Sequence, residues 1–251
     1  MPRITPFRLA AFCALALTLT LALAAGASAK GFKAELRVVG AGSKVLVEKP
    51  IATATTTVKT SPKAECFGKG SGGSGDPVTI KGNTAMGVLA RASKAVASLR
   101  PLLISDSFDF GLALCGIGKS IAKGSSSWYL KVNHKSLPVS GDAAVIHPGD
   151  EVLWTLAKTE APAYKYPTEL VLSAPANVKP GVPFTVRVFS YDEKGKGTPA
   201  ADVKVTGATI ATGPDGRTKV TLRKPARLIA RADAQIPSAR EPVCVGGKCP
   251  K

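Results

Sequence analysis

Hydrophobic and polar positions alternate most regularly between Ser125 and Leu156, SSSWYLKVNHKSLPVSGDAAVIHPGDEVLWTL. Trp128, Leu130 and Val132 share one parity, and Tyr129, Lys131 and Asn133 the other. Further on, Val152, Trp154 and Leu156 oppose Glu151, Leu153 and Thr155. A period of two predicts strands. Asn133-His134 tolerate positive φ and Pro148-Gly149 fits the centre of a type II turn, so the two runs are predicted to pair. Each tryptophan shares its face with aliphatic residues and is assigned to the core. Tyr129 is expected to be the exposed aromatic.

Upstream, Glu35–Val39 and Lys44–Lys59 read as strands forming a hairpin, the second run long and rich in threonine and valine. GKGSGGSGDP, Gly68 to Pro77, reads as a flexible loop. One helix is predicted over Thr84–Arg100, with Ala85, Val88, Leu89, Ala92, Val96 and Leu99 at three- and four-residue spacing, Thr84 as N-cap and Pro101 as the stop. Gly87 weakens its intrinsic propensity, so the helix must depend on packing against a sheet. Strands around one helix make an α+β domain. After Lys158, TEAPAYKYP reads as a linker over 159–167. Six short strands then follow: Glu169–Ser173, Phe184–Tyr191, Asp202–Thr206, Thr209–Ala211, Thr218–Arg223 and Leu228–Ala232. Pro-Gly, Lys-Gly and Pro-Asp-Gly turns punctuate them, predicting an all-β sandwich over 168–243 and a tail over 244–251.

The chain opens with the basic segment MPRITPFR, an apolar run from Leu9 to about Ala25 and the small-residue exit Gly26-Ala27-Ser28-Ala29. This predicts a signal peptide over 1–29, cleaved after Ala29, the run being at the short limit for an uncleaved anchor. The C-terminal CVGGKCPK carries no hydrophobic tail or sorting signal. Four cysteines follow the signal, an even count that in an exported protein predicts disulfides. Of three connectivities, Cys66–Cys115 with Cys244–Cys249 keeps each bridge within one half. The competing reading of Cys-x-x-x-x-Cys as half a zinc site lacks its other ligands.

Without Arg3 and Arg8 the chain keeps 32 Lys and Arg against 17 acids, spread over both halves. Such charge suits an acidic cell surface, a polyanion or solubility. Nucleic acid is excluded as a partner, since the protein is predicted to be exported and no basic-aromatic motif occurs. Arg217, Lys219 and Arg223 share a parity, so a strand would set them on one face as candidate polyanion contacts or as an ordinary solvated edge.

Catalytic constellations are not found. Gly68–Pro77 lacks the Lys-Ser or Lys-Thr of a phosphate loop, and Gly118-Lys119-Ser120 has Ala113 where that motif needs its first glycine. Asp106 and Asp109 match no calcium loop and read as turn residues, as does Asp150 after Pro-Gly. His134 and His147 fall in predicted turns without a Ser-His-Asp order. No enzyme, cofactor or metal is predicted.

NTAMGVLARAS, SFDFGLALCGIGKSI, SSSWYLKVNHKSLPVSG and IHPGDEVLW together resemble the transcobalamin-like C-terminal domain family, β-grasp modules common in exported bacterial proteins. The resemblance spans about Gly31 to Lys158 and implies a β-grasp-like domain over 30–158 with one main helix. The family usually has glycine after the Val-Asn pair, where this chain has His134. In vertebrate cobalamin carriers a similar domain closes over the corrin opposite a helical barrel, for which this sequence has no counterpart. ANVKPGVPFTVRVFS, ADVKV and TGPDGRTKVTL resemble bacterial Ig-like and carboxypeptidase-regulatory-like modules, which implies spacing, display or adhesion.

Two function classes follow. The first is a secreted or cell-surface, non-catalytic binding, adhesion or scaffold protein whose partner is an acidic surface polymer or another surface protein. The alternative is an extracytoplasmic carrier of a small, cobalamin-like ligand, with Trp128, Tyr129 and Asn133 as contacts. Membrane contact is expected only through the signal segment before cleavage.

Overall fold

The opening hairpin forms: β1 (Lys33–Gly40) and β2 (Lys44–Ala52) pair antiparallel. The run expected to continue β2 to Lys59 instead breaks at Ala54, whose carbonyl accepts from Thr56 Oγ1 at 2.9 Å. Beyond the break, β3 (Thr56–Lys59) pairs with β4 (Pro77–Ile80), so one predicted strand serves two sheets. The computed structural model describes residues 31–159 and 165–251. The expected signal segment and most of the expected linker lie outside the described residues.

The helix α1 (Ala85–Ala95) starts where predicted, with Thr84 Oγ1 accepting from the Gly87 amide at 3.1 Å. Gly87 has a packing reason, because a Cβ there would meet the Lys81 carbonyl oxygen at 2.0 Å. The helix ends five residues earlier than expected. Val96 turns extended and a single 3-10 turn, Ala97–Leu99, brings the fully buried Leu99 into the core. Arg100 is extended as well, as the following proline favours.

Next, β5 (Leu102–Ser105), β6 (Ala113–Ile117) and β7 (Ser120–Ile121) make a three-stranded sheet. The two alternating runs become β8 (Ser126–Val132) and β10 (Glu151–Lys158), antiparallel with Trp154 opposite Leu130, and β9 (Lys135–Ser136) folds back on β8. The main sheet runs β2-β1-β10-β8-β9, with β1 and β10 parallel at its centre. Leu36, Val38, Leu130, Val132, Val152 and Trp154 meet Met86, Val88 and Leu89 of α1 in the first core. The glycine-rich loop is pinned: the Asp106 carboxylate accepts from the Ser74 amide and hydroxyl, both at 2.7 Å, and these bonds lower its pKa.

The second lobe is all-β. It contains β11 (Glu169–Ser173), β12 (Asn177–Val178), β13 (Pro183–Tyr191), β14 (Gly197–Pro199), β15 (Lys204–Val205), β16 (Arg217–Thr221), β17 (Ala226–Leu228), β18 (Ala230–Arg231) and β19 (Glu241–Val245). The strand expected over Thr209–Ala211 is absent; Thr212 instead bonds back to Val203 and Ala200, leaving Ile210 exposed. β13 is central to one sheet, flanked by β11, β14 and β16. Its inward residues Val186 and Val188 meet Leu170, Val205, Val220, Leu228 and Val243 in a second core.

The two lobes join through the face of the main sheet that turns away from α1. Arg37, Val39, Leu153 and Lys131 occupy that face, and Val39 and Leu153 form a small apolar cluster with Ile236 of the second lobe. A mixed sheet carrying one helix and an all-β lobe therefore share a joint that is apolar at one end and charged at the other.

Cys66–Cys115 and Cys244–Cys249 are bridged, which points to an oxidising compartment. No helix among the described residues is long and apolar enough to cross a membrane. Replacing both Cys66 and Cys115 by serine reopens a loop of 49 residues. The double variant is expected to lose about 4 kcal/mol in urea unfolding, and replacing Cys244 and Cys249 roughly half that. An order reversed between the two variants would contradict the chain-entropy account.

Candidate functional site

A cavity of about 480 Å³ opens along β8, where only the last two residues, Lys131 and Val132, pair with β9. Because the rest of that edge carries no strand among the described residues, side chains from both faces of β8 reach the cavity. Trp128 and Leu130 come from the helix side and Tyr129 from the other. Met86 of α1 and Trp154 of β10 also line it. Gly141 lies over Trp154 closely enough that a Cβ would meet the indole ring at 2.5 Å, so glycine keeps this wall open.

The mouth is apolar. Phe67 and Phe110 are each 60% exposed, Val139 is 49% exposed, and all three line the opening. Phe67 meets Phe108 edge-on at 5.3 Å, and Phe108 stacks on Phe110 at 4.9 Å. The Cys66–Cys115 bridge anchors Phe67, and Asp142 Oδ1 holds the Leu112 amide at 3.0 Å beside Phe110. Sequence reasoning passed over these three phenylalanines because they lie in segments without periodicity.

Three lining residues carry polar atoms that are buried without a hydrogen-bond partner among the described residues: Trp128 Nε1, Tyr129 Oη and Ser140 Oγ. A buried unsatisfied polar atom costs roughly 1–3 kcal/mol, so three around one cavity call for an explanation. The Tyr129 phenol is pushed up to about 12, chiefly by burial, with the Ser136 hydroxyl countering the shift without bonding geometry. Among the described residues, the lining includes no carboxylate, histidine or lysine.

The three sequence-predicted ligand contacts part company here. Trp128 lines the cavity and packs partly on the core. Tyr129 also lines it, but at 7% exposure it is buried, stacked on Tyr166 at 4.0 Å. The expectation that Tyr129 is exposed fails because Tyr166 stacks on its ring and covers that face. Asn133 stands outside the lining: its Nδ2 donates to Asp150 Oδ1 at 2.8 Å and its Oδ1 accepts from the Glu151 amide at 2.9 Å. With φ values of 49° and 67°, Asn133 and His134 form a left-handed turn.

His134 belongs to a second cluster, at the charged end of the lobe joint. Glu169 of β11 is fully buried and accepts from Arg37, which also donates to the Pro237 carbonyl. Lys131 Nζ lies 3.2 Å from Glu169 Oε2 as an ion pair without hydrogen-bond geometry. His134 Nδ1 is 3.1 Å from Glu169 Oε1, and Glu151 reaches Arg37 at 3.3 Å. Burial alone would raise the Glu169 pKa, but the His134 bond and the charges of Arg37, His134 and Lys131 bring it down to about 2. The same bond raises His134, while burial lowers Lys131. His134, Glu151 and Glu169 bring donor atoms within 4.8 Å of one another, as a metal site would. Two fixed cations, Arg37 and Lys131, already neutralise these carboxylates, so the set is an ion-pair joint.

On the second lobe, Arg217 and Lys219 point outward from β16 as their parity predicted, since Thr218 and Val220 are buried between them. Arg223 lies beyond the strand, in the bend before Pro225. Its place on the basic face is taken by Arg187 of β13, directly opposite Arg217.

No family model matches the chain, and no curated protein matches it.

The joint generates a pH prediction. Glu169 is held below its ordinary value of 4.5, so its contribution is present above that pH and is lost as pH falls towards about 2. His134 is raised above 6.5, so its contribution is present below that pH and is lost as pH rises through the raised value. Urea midpoints followed across pH should therefore be highest between 4.5 and 6.5 as far as this pair contributes. Glu169→Gln should flatten both limbs and cost about 3–5 kcal/mol, because Arg37 and Lys131 are left buried without their counter-charge. An unchanged midpoint in the variant would contradict the joint as described.

Proposed function

We propose that this chain is an exported, non-catalytic binding protein that holds a small, mainly apolar ligand in the cavity along β8. One observation carries the reading: a cavity lined by aromatic side chains and serines, with exposed Phe67, Phe110 and Val139 at its rim, and with three lining residues, Trp128, Tyr129 and Ser140, that each hold a buried polar atom without a partner among the described residues. A ligand with an apolar body and a few hydrogen-bonding groups would satisfy that wall. The volume suits a drug-sized molecule, which favours such a ligand over an enclosed corrinoid.

The fold readings join this proposal. A transcobalamin-like β-grasp assignment for the first lobe is supported by the opening hairpin, the helix laid across one face and the parallel pairing of first and last strands at the sheet centre. An Ig-like assignment for the second lobe is supported by its short strands around one core. Two disulfides favour secretion or cell-surface display.

The test is a fluorescence titration with the apolar probe N-phenylnaphthylamine, with Val139→Trp placed to fill the mouth. The variant is expected to weaken probe binding about tenfold, or 1.4 kcal/mol, without a lower melting temperature. Undiminished binding would overturn the site. Tyr129→Phe removes only the unsatisfied hydroxyl and should leave the melting temperature unchanged or higher, whereas Tyr129→Ala also opens a void beside Tyr166 and should cost about 3–5 kcal/mol. Thermal shifts with cyanocobalamin form a separate arm, in which a rise would restore the corrinoid reading.

A further inference from the structure

The outward face of the second lobe carries a charge arrangement that the aromatic cavity does not explain. Antiparallel pairing sets Arg187 of β13 directly opposite Arg217 of β16, and Thr185 opposite Lys219. Burial of Val186, Val188, Thr218 and Val220 fixes the parity, turning both arginines and Lys219 to the same outer side. Residues facing each other in such a pair have Cβ atoms roughly 4.5–5.5 Å apart, and like charges there are destabilising. Lys219 follows two residues along the strand, roughly 7 Å away.

The row extends to Ser173 on β11, which pairs with Arg187 from the other side. Ser173, Thr185, Arg187 and Arg217 border one open groove of about 460 Å³. Among the described residues, Arg187 and Lys219 take part in no ion pair, and Arg217 meets only Asp215, at 3.9 Å. The Arg187 guanidinium lies over the Phe189 ring at 4.4 Å, which orients it, and its Nε is buried without a hydrogen-bond partner among the described residues. A stacked, pre-oriented guanidinium beside a second one matches a tetrahedral oxyanion, which takes two donors from each fork. Apart from Asp215 beside Arg217, no ion pair among the described residues offsets the repulsion between the two arginines.

We propose that Arg187, Arg217 and Lys219, with the Ser173 hydroxyl, form a binding site for oxyanion esters repeated along an acidic polymer, phosphate and sulfate being the two chemistries it accepts. The site lies outside the aromatic cavity and stands independently of the ligand proposed there. Spacing across and along the strands presents several cations at intervals of roughly 5–7 Å, which favours a chain of anionic groups over a single one.

Binding of long-chain inorganic polyphosphate and of heparin to the full chain is the test, measured at several salt concentrations. Because the protein is basic throughout, a control variant removes the same two charges elsewhere: Lys63→Gln and Lys69→Gln, on the first lobe. Arg217→Gln with Lys219→Gln should lower affinity about tenfold and flatten the salt dependence, while the control changes it by less than about threefold. The melting temperature of this double variant should hold or rise, since the opposed arginines are separated; that readout excludes misfolding as the cause. Arg187→Lys, which keeps the charge but loses the fork, should weaken binding as well. Loss with polyphosphate alone assigns the site to phosphate, and loss with heparin alone assigns it to sulfate. Equal loss in the control variant, or no binding by the wild-type chain, would overturn the proposal.

Discussion

A buried carboxylate organises this molecule. Glu169 sits at the start of the second lobe with almost no solvent, between Arg37 and Lys131 from two strands of the first. Taking such charges out of water costs several kcal/mol per ion, so their net contribution to stability is small. Their effect is on register. Any other docking of the lobes would leave Arg37 or Lys131 buried and unpaired, and the penalty for that is far larger than the net worth of the pair. The apolar cluster of Val39, Leu153 and Ile236 supplies attraction at the other end without directional demand.

The same docking shapes the aromatic cavity. Covering the outer face of the main sheet buries Tyr129 against Tyr166, and β9 is too short to close the β8 edge. What results is a recess with one wall from each face of a strand, rimmed by Phe67 and Phe110 on loops held by a disulfide and by Asp142. On the far side of the second lobe, Arg187 and Arg217 face solvent because the first lobe covers only the Glu169 and Tyr191 end of the β11–β13 pair. Two candidate binding features thus sit on surfaces that the joint defines, one enclosed by it and one left free.

Much of the local structure was legible in the chain. The alternation around Trp128 and Trp154 identified β8 and β10 and their helix-facing side, and Thr84 located the start of α1. The cysteine pairs followed from count and spacing. Errors came where a competing contact outweighed local preference. Lys44–Lys59 split because β3 finds its partner in β4, and the helix stopped at Ala95 because burying Leu99 required a tighter turn. Of the candidate contacts, Trp128 and Tyr129 reach the cavity, while Asn133 is consumed by the turn it closes.

Periodicity and turn chemistry located by themselves most of the strands, the start of the helix and the apolar faces of α1, β8 and β10, while charge and cysteine counts marked the chain as basic and disulfide-bonded. They do so because each is a property of neighbours within a few residues. Only the tertiary structure decided that the polar face of the first sheet is an interface, that Arg37, Lys131, His134 and Glu169 converge there, and that Arg187 stands beside Arg217. Arg37 and Glu169, which meet there, are 132 positions apart in the chain. Alternation places a side chain on one of two faces but carries no information about what is packed against that face; burial of charge and cross-strand register are set by distant segments.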